Sequence, residues 1–517
     1  MRKIPLLLLL GLVTALACNY PGLFAGSSAG SSADHDLSAE DLRRTLAAHT
    51  PLSPSQTPLP AATVIPQLTQ PVPETAQQAP YPSATGALFD YIARSGDTLP
   101  ALAGRFGVGV EQIITPPGIS RDGFLLPGEV LTLPAVLAEV TRGDLLLPDA
   151  ELVYSPTAFG FDVAGFVQAA GGFLSAYQEA VDGETLSGAA IIQRVAVDLS
   201  VNPRLLLALL EFRAGWVYGQ PPPTQDRLHP LGLYVPDRQG LYHEIHIAAT
   251  QLNLGYYGWR QGVFTQIRYR RVETARLNPT LNAGSAAMQH LFALLYSQDA
   301  WAPALYGEQG IIALYQSMFG DPWGRARALG DLLPADLSQP ALELPFLPGE
   351  RWSLTAGPHT SWNAGTPRGA LDFSPVTGEP VCAVSRAWAT AAAPGVIARA
   401  ERNIVALDLD GDGSEATGWV LVHLHLAERD LVTPGSAVAQ DEPLGHPSCE
   451  GGRATGKHVH MARKYNGEWL PADGPVPFVL SGWRAVAAAA NYQGELVKEG
   501  QVVSSNPGGS RTSIIVR

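Results

Sequence analysis

The segment Lys457-His458-Val459-His460-Met461 decides how the C-terminal part of this 517-residue chain is read, because its polar and apolar side chains alternate. A period of two predicts a β-strand, whose successive side chains point to opposite faces. Both imidazoles then share one face, with Val459 and Met461 on the other. Two further segments belong with it. In Gly357-Pro-His-Thr-Ser-Trp-Asn-Ala-Gly-Thr-Pro-Arg-Gly-Ala-Leu-Asp372-Phe373, His359 ends an exposed turn and Asp372 lies inside an otherwise apolar strand. A carboxylate there is costly unless it meets a cation. Trp419-Val-Leu-Val-His423-Leu424-His425-Leu426 also alternates and can bring one more imidazole across a sheet. Half of the chain's twelve histidines (His359, His423, His425, His446, His458 and His460) fall in this β-rich region. A catalytic zinc takes about three protein ligands from His and carboxylate and keeps one position open for water. Separate groups must then steer the water and stabilise an oxyanion.

Together these segments resemble the lysostaphin-type (LytM-like) zinc endopeptidases, and most of all the branch of staphylolysin and the beta-lytic endopeptidases. That branch separates its first zinc His from the zinc Asp by a longer loop. The spacing of His359 and Asp372 is similar, and the short-spacing position, Arg368, is not His. The stretch Cys449-Glu-Gly-Gly-Arg-Ala-Thr-Gly-Lys-His-Val-His460, followed by Tyr465-Asn-Gly467, is close to the same pattern. The resemblance implies that His359, Asp372 and His460 bind one Zn2+. It makes His425 and His458 the non-ligand imidazoles, one to orient or deprotonate water and one to stabilise the oxyanion. His425 is preferred to His423 because it falls at the end of the strand. His423 is then a same-face structural neighbour and His446 a loop residue. Relatives place the partner of the Cys449 equivalent later than Cys382, so this pair staples the site differently or stays unbonded.

Working outward, the length suggests roughly three folded units. A balance of 34 basic against 47 acidic residues gives −13, without a basic stretch, which excludes nucleic acid as a partner class. Arg2 and Lys3 precede an apolar run over residues 4–17, too short to span a bilayer comfortably, and Ala15-Leu16-Ala17-Cys18 resembles a bacterial lipobox. Cys18 is thus the expected lipidation site of an exported, membrane-anchored protein facing the cell wall. That leaves Cys382 and Cys449 as an even pair in an oxidising compartment, available for a disulfide. Residues 19–87 are rich in Pro, Ser and Thr and cannot bury a core, which suits an extended tether.

Tyr91-Ile-Ala-Arg-Ser-Gly-Asp-Thr-Leu99 predicts a strand, a turn and a helix capped by Thr98, and Leu125-Leu-Pro-Gly-Glu-Val-Leu-Thr-Leu-Pro134 a closing strand. This strand–helix–helix–strand order resembles a LysM module, which implies binding of glycan. Between residues 157 and 333 the pattern is helical, with Asn202-Pro203 and Asp321-Pro322 as helix starts. Glu211 is weakly similar in setting to the acid of lysozyme-like glycan cleavers, although the register is off by two and a solvent-facing helical Glu is the simpler reading. His243-Glu-Ile-His246 lacks the four-residue His spacing of a zincin helix. Asp408-Leu-Asp-Gly-Asp-Gly413 starts like a calcium loop, but its twelfth position is Trp419, so a hairpin turn is expected.

The expected fold is a multidomain α+β chain. It comprises a signal over 1–18, a linker over 19–87, a βααβ LysM-like module over 88–136, an all-α domain over 156–340, an antiparallel β-sheet metallopeptidase domain over 341–490 and a tail over 491–517. The expected function is zinc-dependent hydrolysis of peptide bonds in peptidoglycan by attack of a zinc-bound water, for wall remodelling or lysis. The alternative is an inactive LytM-like regulator of another wall hydrolase, and such degenerate relatives usually lack the zinc ligands.

Overall fold

The computed structural model describes residues 78–82, 85–270 and 272–517. The expected lipidation site Cys18 and most of the linker expected over 19–87 lie outside the described residues. No helix among the described residues is long and apolar enough to cross a membrane.

The first folded unit pairs β1 (Leu88–Ile92) with β2 (Val130–Pro134), antiparallel, around α1 (Leu99–Phe106). Thr98 caps α1 by accepting the Ala101 amide, and Gly107, at φ 71, ends it in the left-handed conformation that glycine adopts without strain. The second expected helix is a single 3-10 turn, Val110–Gln112. Tyr81, read as linker, packs its ring on Phe89 and Phe106, so the module's core begins ahead of residue 88.

The middle region contains α2 (Val163–Ala170), α3 (Gly188–Leu199), α4 (Pro203–Ala214), α5 (Leu241–Arg260), α6 (Ala283–Leu295), α7 (Gln298–Tyr306), α8 (Ile311–Phe319) and α9 (Pro322–Leu329). Asn202 and Asp321 cap α4 and α9 through their side chains, each with proline in the first turn. It is not all-α. Two hairpins interrupt it, β3 (Gln178–Val181) with β4 (Glu184–Ser187), and β5 (Gln266–Tyr269) with β6 (Glu273–Arg276). The first turns through Asp182 and Gly183, both at positive φ, an Asp-Gly hairpin signal overlooked beside the helical periodicity.

The last region holds β7 (Arg351–Thr360), β8 (Arg368–Pro375), β9 (Ala389–Thr390), β10 (Gly395–Glu401), β11 (Ile404–Asp408), β12 (Trp419–Leu424), β13 (Ala437–Val438), β14 (Pro443–Gly445), β15 (Val459–Tyr465), β16 (Glu468–Trp469), β17 (Val479–Leu480), β18 (Trp483–Ala487), β19 (Gly494–Lys498), β20 (Gln501–Ser504) and β21 (Ile514–Val516). Nine of them form one sheet, ordered β13-β10-β11-β12-β15-β8-β7-β21, with β16 paired to β15. A second sheet runs β17-β18-β19-β20. Residues 491–517 are therefore no tail. They supply β19 and β20, and β21 pairs with β7 with Ile515 buried in the core.

The nine-stranded sheet buries both faces. Ala370, Ile404, Ala406, Val420, Val422, Leu424 and Ala462 join the core of the helical region. Leu371, Phe373, Val405, Leu407, Leu421, Val459 and Met461 join a separate core that includes Leu480 and Leu496 of the second sheet. Polar ties cross the first interface. Ser200 Oγ donates to Gly467 O (2.6 Å), Tyr256 OH to Glu468 Oε2 (2.8 Å), and the Trp469 amide to Tyr257 OH (3.1 Å). Arg399 and Arg402 of the sheet pair with Asp198 of α3 at 2.6 and 2.8 Å. Gly365 approaches α5 so closely that a Cβ would lie 2.6 Å from the Leu254 nitrogen.

Arg260, at the end of α5, pairs with Asp149 and with Glu468, each at 3.0 Å, and all three groups are buried. Its guanidinium also donates to Ser95 O of the first unit. Replacing it leaves two buried carboxylates facing each other without a cation between them. Arg260→Met should therefore destabilise the full chain by roughly 3–5 kcal/mol, read as a lower urea midpoint. Burial also drives the His246 imidazole down to about 3 and that of His290 to about 4. Both stay neutral when folded, whereas unfolded histidine protonates near about pH 6.5. The unfolded state then binds more protons, so stability should fall as pH drops below that value, by about 2 kcal/mol per histidine at pH 5. A urea midpoint that stays level between pH 7 and pH 5 would contradict this.

Candidate metal centre

Strand register assembles the site. β15 lies between β12 and β8, with His460 directly opposite Asp372 and on its other side opposite Leu424. β7 pairs with β8 through an irregular register that sets His359 opposite Ala370. His359 is thus inside a ten-residue strand and fully buried, not at the end of an exposed turn. The irregularities in β7 take up the extra residues and return its imidazole to the sheet face that carries Asp372.

His359 Nε2 lies 3.0 Å from His460 Nδ1, and Asp372 Oδ1 lies 3.3 and 3.2 Å from those nitrogens. The other ring nitrogens are committed. His359 Nδ1–H donates to Gly357 O and His460 Nε2–H to Ser361 O, both at 2.9 Å. With those protons so placed, Nε2 of His359 and Nδ1 of His460 each present a lone pair. Two lone pairs and a carboxylate oxygen therefore converge without a donor among them, and Asp372 Oδ1 is buried without a hydrogen-bond partner. Three acceptors at one point fit a divalent cation held by two imidazoles and a carboxylate. Burial alone would raise the Asp372 carboxyl, but positive charge on the facing His359 and His458 imidazoles, in their protonated forms, outweighs it and holds the carboxyl well below the usual range.

His458 stands beside this cluster, its Nε2 3.6 Å from Asp372 Oδ2 and its Nδ1–H donated to Gly456 O at 2.8 Å. His425 stacks near it, with ring centroids 4.4 Å apart, and donates Nδ1–H to Glu450 O at 2.7 Å. Its Nε2 is buried without a partner, and burial followed by the nearby His458 pushes the imidazole down to about 3. Strict alternation along β12 would put His425 on the face of His423. Instead His425 sits at φ 68, left-handed, and this turn brings its ring beside His458. His423 faces the opposite core, with its Nδ1 hydrogen-bonded to Val405 O at 3.3 Å, and is not brought to the cluster. His446, in β14's exit loop, packs on Trp388 and donates to Ala387 O.

Cys382 and Cys449 are disulfide-bonded, with Cα atoms 5.3 Å apart, one residue from the Glu450 carbonyl that orients His425. Outside the centre, the Glu211 carboxylate accepts the Val217 and Tyr218 amides at 2.8 and 3.1 Å, a turn-closing role that leaves it half-buried at the end of α4. Asp408, Asp410 and Asp412 cluster in the β11–β12 connection, where Asp408 accepts the Asp410 and Gly413 amides as a hairpin turn does. Desolvation and Asp408 raise Asp410 to about 6. One neighbour had no signal in the sequence. The Tyr492 ring stacks on His359 at 4.6 Å, 133 positions further on, and nothing local marks it.

A buried centre of His, Asp and His on an antiparallel sheet, flanked by two further imidazoles, is suited to a metallopeptidase. Comparison with known proteins carries the class: the chain is related to the LytM-type zinc metallopeptidases and carries a LysM module. Residues 91–134 match the LysM domain, and residues 145–333 match the LasA N-terminal domain. Over 296 residues the chain is 27% identical to Protease LasA of Pseudomonas aeruginosa (strain UCBPP-PA14), covering 53% of this chain and 65% of that protein. It thus spans just under two thirds of that relative. The Beta-lytic metalloendopeptidase of Lysobacter enzymogenes is 28% identical over 153 residues, 29% of this chain and 82% of that one. Among solved structures, the M23 metalloprotease pseudoalterin covers 35% of this chain and 99% of its own at 22% identity, with a TM-score of 0.29.

If the three convergent acceptors form the centre, zinc added to the metal-stripped chain should raise its melting temperature by mass action. Asp372→Ala should abolish that rise. His423→Gln, altering the imidazole on the opposite face, should keep it.

Proposed function

We propose that this chain is a zinc-dependent endopeptidase that hydrolyses peptide bonds of peptidoglycan, exported and lipid-anchored at Cys18, with the LysM module contacting glycan. The observation that carries this reading is the convergence of two imidazole lone pairs and a buried, unpartnered carboxylate oxygen on one point. His359, Asp372 and His460 would hold a single zinc. When bound, zinc supplies a Lewis acid that lowers the pKa of water toward about 7 and polarises the scissile carbonyl.

The chain's own residues divide the proton work. His425 is kept neutral by burial and keyed by Glu450 O to the tautomer whose Nε2 is a lone pair, so Nε2 can accept a proton from attacking water. His458, keyed by Gly456 O and facing Asp372, would in its protonated form donate from Nε2 to the developing oxyanion. His359 and His460 are buried on the sheet face that shares its core with the helical region. The LysM unit supports glycan targeting, and its setting makes that targeting rigid. Arg94 donates to Thr280 O and Arg105 to Trp259 O, so glycan bound there would sit at a fixed distance from the metal centre.

The test is zinc content and cleavage of purified peptidoglycan by the full chain, beside His460→Ala. About one zinc per chain, with turnover that the substitution and chelators abolish, is the expected result. Zinc without turnover would instead indicate an inactive regulator, and absence of zinc would refute the site.

A further inference from the structure

Arg368 begins β8 four residues before Asp372, the position at which short-spacing relatives carry their first metal histidine. Its guanidinium makes no ion pair among the described residues. Instead it donates to four main-chain carbonyls: Nε to Pro358 O (3.1 Å), Nη1 to Ala488 O (2.8 Å), and Nη2 to Ala490 O (2.7 Å) and Gln493 O (3.4 Å). The first neighbours His359. The other three belong to the β18–β19 connection, which is largely exposed and so is not held by core packing. Tyr492 lies in that connection at φ 69, a conformation that a non-glycine residue keeps only when its surroundings over-determine it. Its carbonyl accepts the Gly357 amide at 2.8 Å, and its ring lies flat on His359, 23° from parallel.

We propose that Arg368 is a positioning residue: its planar fork of donors locks the 488–493 connection so that Tyr492 clamps the His359 imidazole in its ligand orientation. The proposal rests on the peptidase reading for its catalytic consequence, though not for its structural one. Arginine suits the task because several N–H groups in one plane can meet carbonyls from two segments at once, which a lysine ammonium cannot reproduce. In the long-spacing arrangement, position 368 is freed from ligating the metal and anchors the wall beside the ligand.

The test uses the zinc-loaded full chain with R368A, R368K, Y492A and the R368A/Y492A pair. Three quantities are read: kcat/KM on peptidoglycan peptides, the urea midpoint, and the rate at which chymotrypsin cuts the native chain after Tyr492. R368A should lower kcat/KM by about ten- to hundredfold, since ångström-scale misplacement has that effect. It should speed the cut at Tyr492 and leave the urea midpoint near that of the parent. R368K should recover part of both. R368A/Y492A should be no slower than Y492A alone, because the arginine acts through the tyrosine. Protection at Tyr492 unchanged in R368A, or losses that add in the pair, would overturn the proposal. If R368A does not accumulate folded, the same readouts on R368K decide, with parental protection counting against it. A parent chain without peptidase activity would refute the proposed function, while protection at Tyr492 would still judge the clamp.

Discussion

Arg260 occupies the point where three parts of the chain meet, and much of the architecture depends on satisfying it. A buried guanidinium must find acceptors, and here they come from the LysM unit through Ser95 O, from the helical region through Asp149, and from the sheet through Glu468. Such an arrangement adds little net stability over apolar packing of the same volume, because desolvating three charges consumes most of the Coulombic gain. What it adds is selectivity. An alternative docking of the helical region would strand two carboxylates in the interior. The Asp198 contacts with Arg399 and Arg402, and the Glu415 carboxylate between Arg399 and Lys464, repeat the device at the other end of the interface.

The sheet explains why such specification is needed. It has apolar side chains on both faces, so a second layer on each is obligatory. One face is covered by the β17–β20 sheet, the other by helices that share its core. The candidate metal centre lies on the helical face, since Asp372 and His460 alternate with Leu371, Phe373, Val459 and Met461 of the opposite core. The same face therefore has to be apolar under the helices and polar at the centre. The loop over residues 361–367 joins the two regimes. Ser361 O orients His460, while Asn363 donates to Thr250 of α5 at 3.1 Å and Gly365 abuts Leu254. Packing of the helical region is in this way transmitted to the His460 ring.

What was legible in the sequence was whatever a short-range period or cap encodes. His458 and His460 share a face because strands alternate, and α4 and α9 start where Asn-Pro and Asp-Pro predict. The relationship to LytM-type enzymes was legible too, because its motifs are local. Features that depend on distant partners or on a single dihedral were not. The burial of His359 follows from irregular pairing with β8, and the separation of His425 from His423 follows from one left-handed residue. The β3–β4 hairpin has four-residue strands that helical periodicity around it masks, and β21 becomes a strand only because the β7 edge needs a partner. Arg368 was visible only as a missing histidine, since three of its four acceptors lie more than a hundred positions away.

Two non-glycine residues at the centre, His425 and Tyr492, hold left-handed backbone conformations at φ 68 and 69. Each costs about 1 kcal/mol or more relative to an extended or helical residue, so neither would persist by itself. The constraint on His425 is dense. Its carbonyl accepts from the Ser448 amide and hydroxyl at 2.8 and 3.0 Å, its ring from one side is fixed by Glu450 O, and the Cys382–Cys449 disulfide ties that segment down. A crosslink closing a loop of 67 residues removes about 4 kcal/mol of unfolded-state freedom, more than the strain it stands beside. No crosslink lies near Tyr492, whose carbonyl accepts the Gly357 amide and the Ser505 hydroxyl at 2.8 and 3.2 Å while the Arg368 fork holds its neighbours. The two sides of the candidate centre are thus held differently, with His425 beside a covalent crosslink and the Tyr492 wall held by hydrogen bonds and its stack on His359. Displacing that wall breaks only non-covalent contacts, whereas moving the His425 ring works against the disulfide-tied segment that carries Glu450 O.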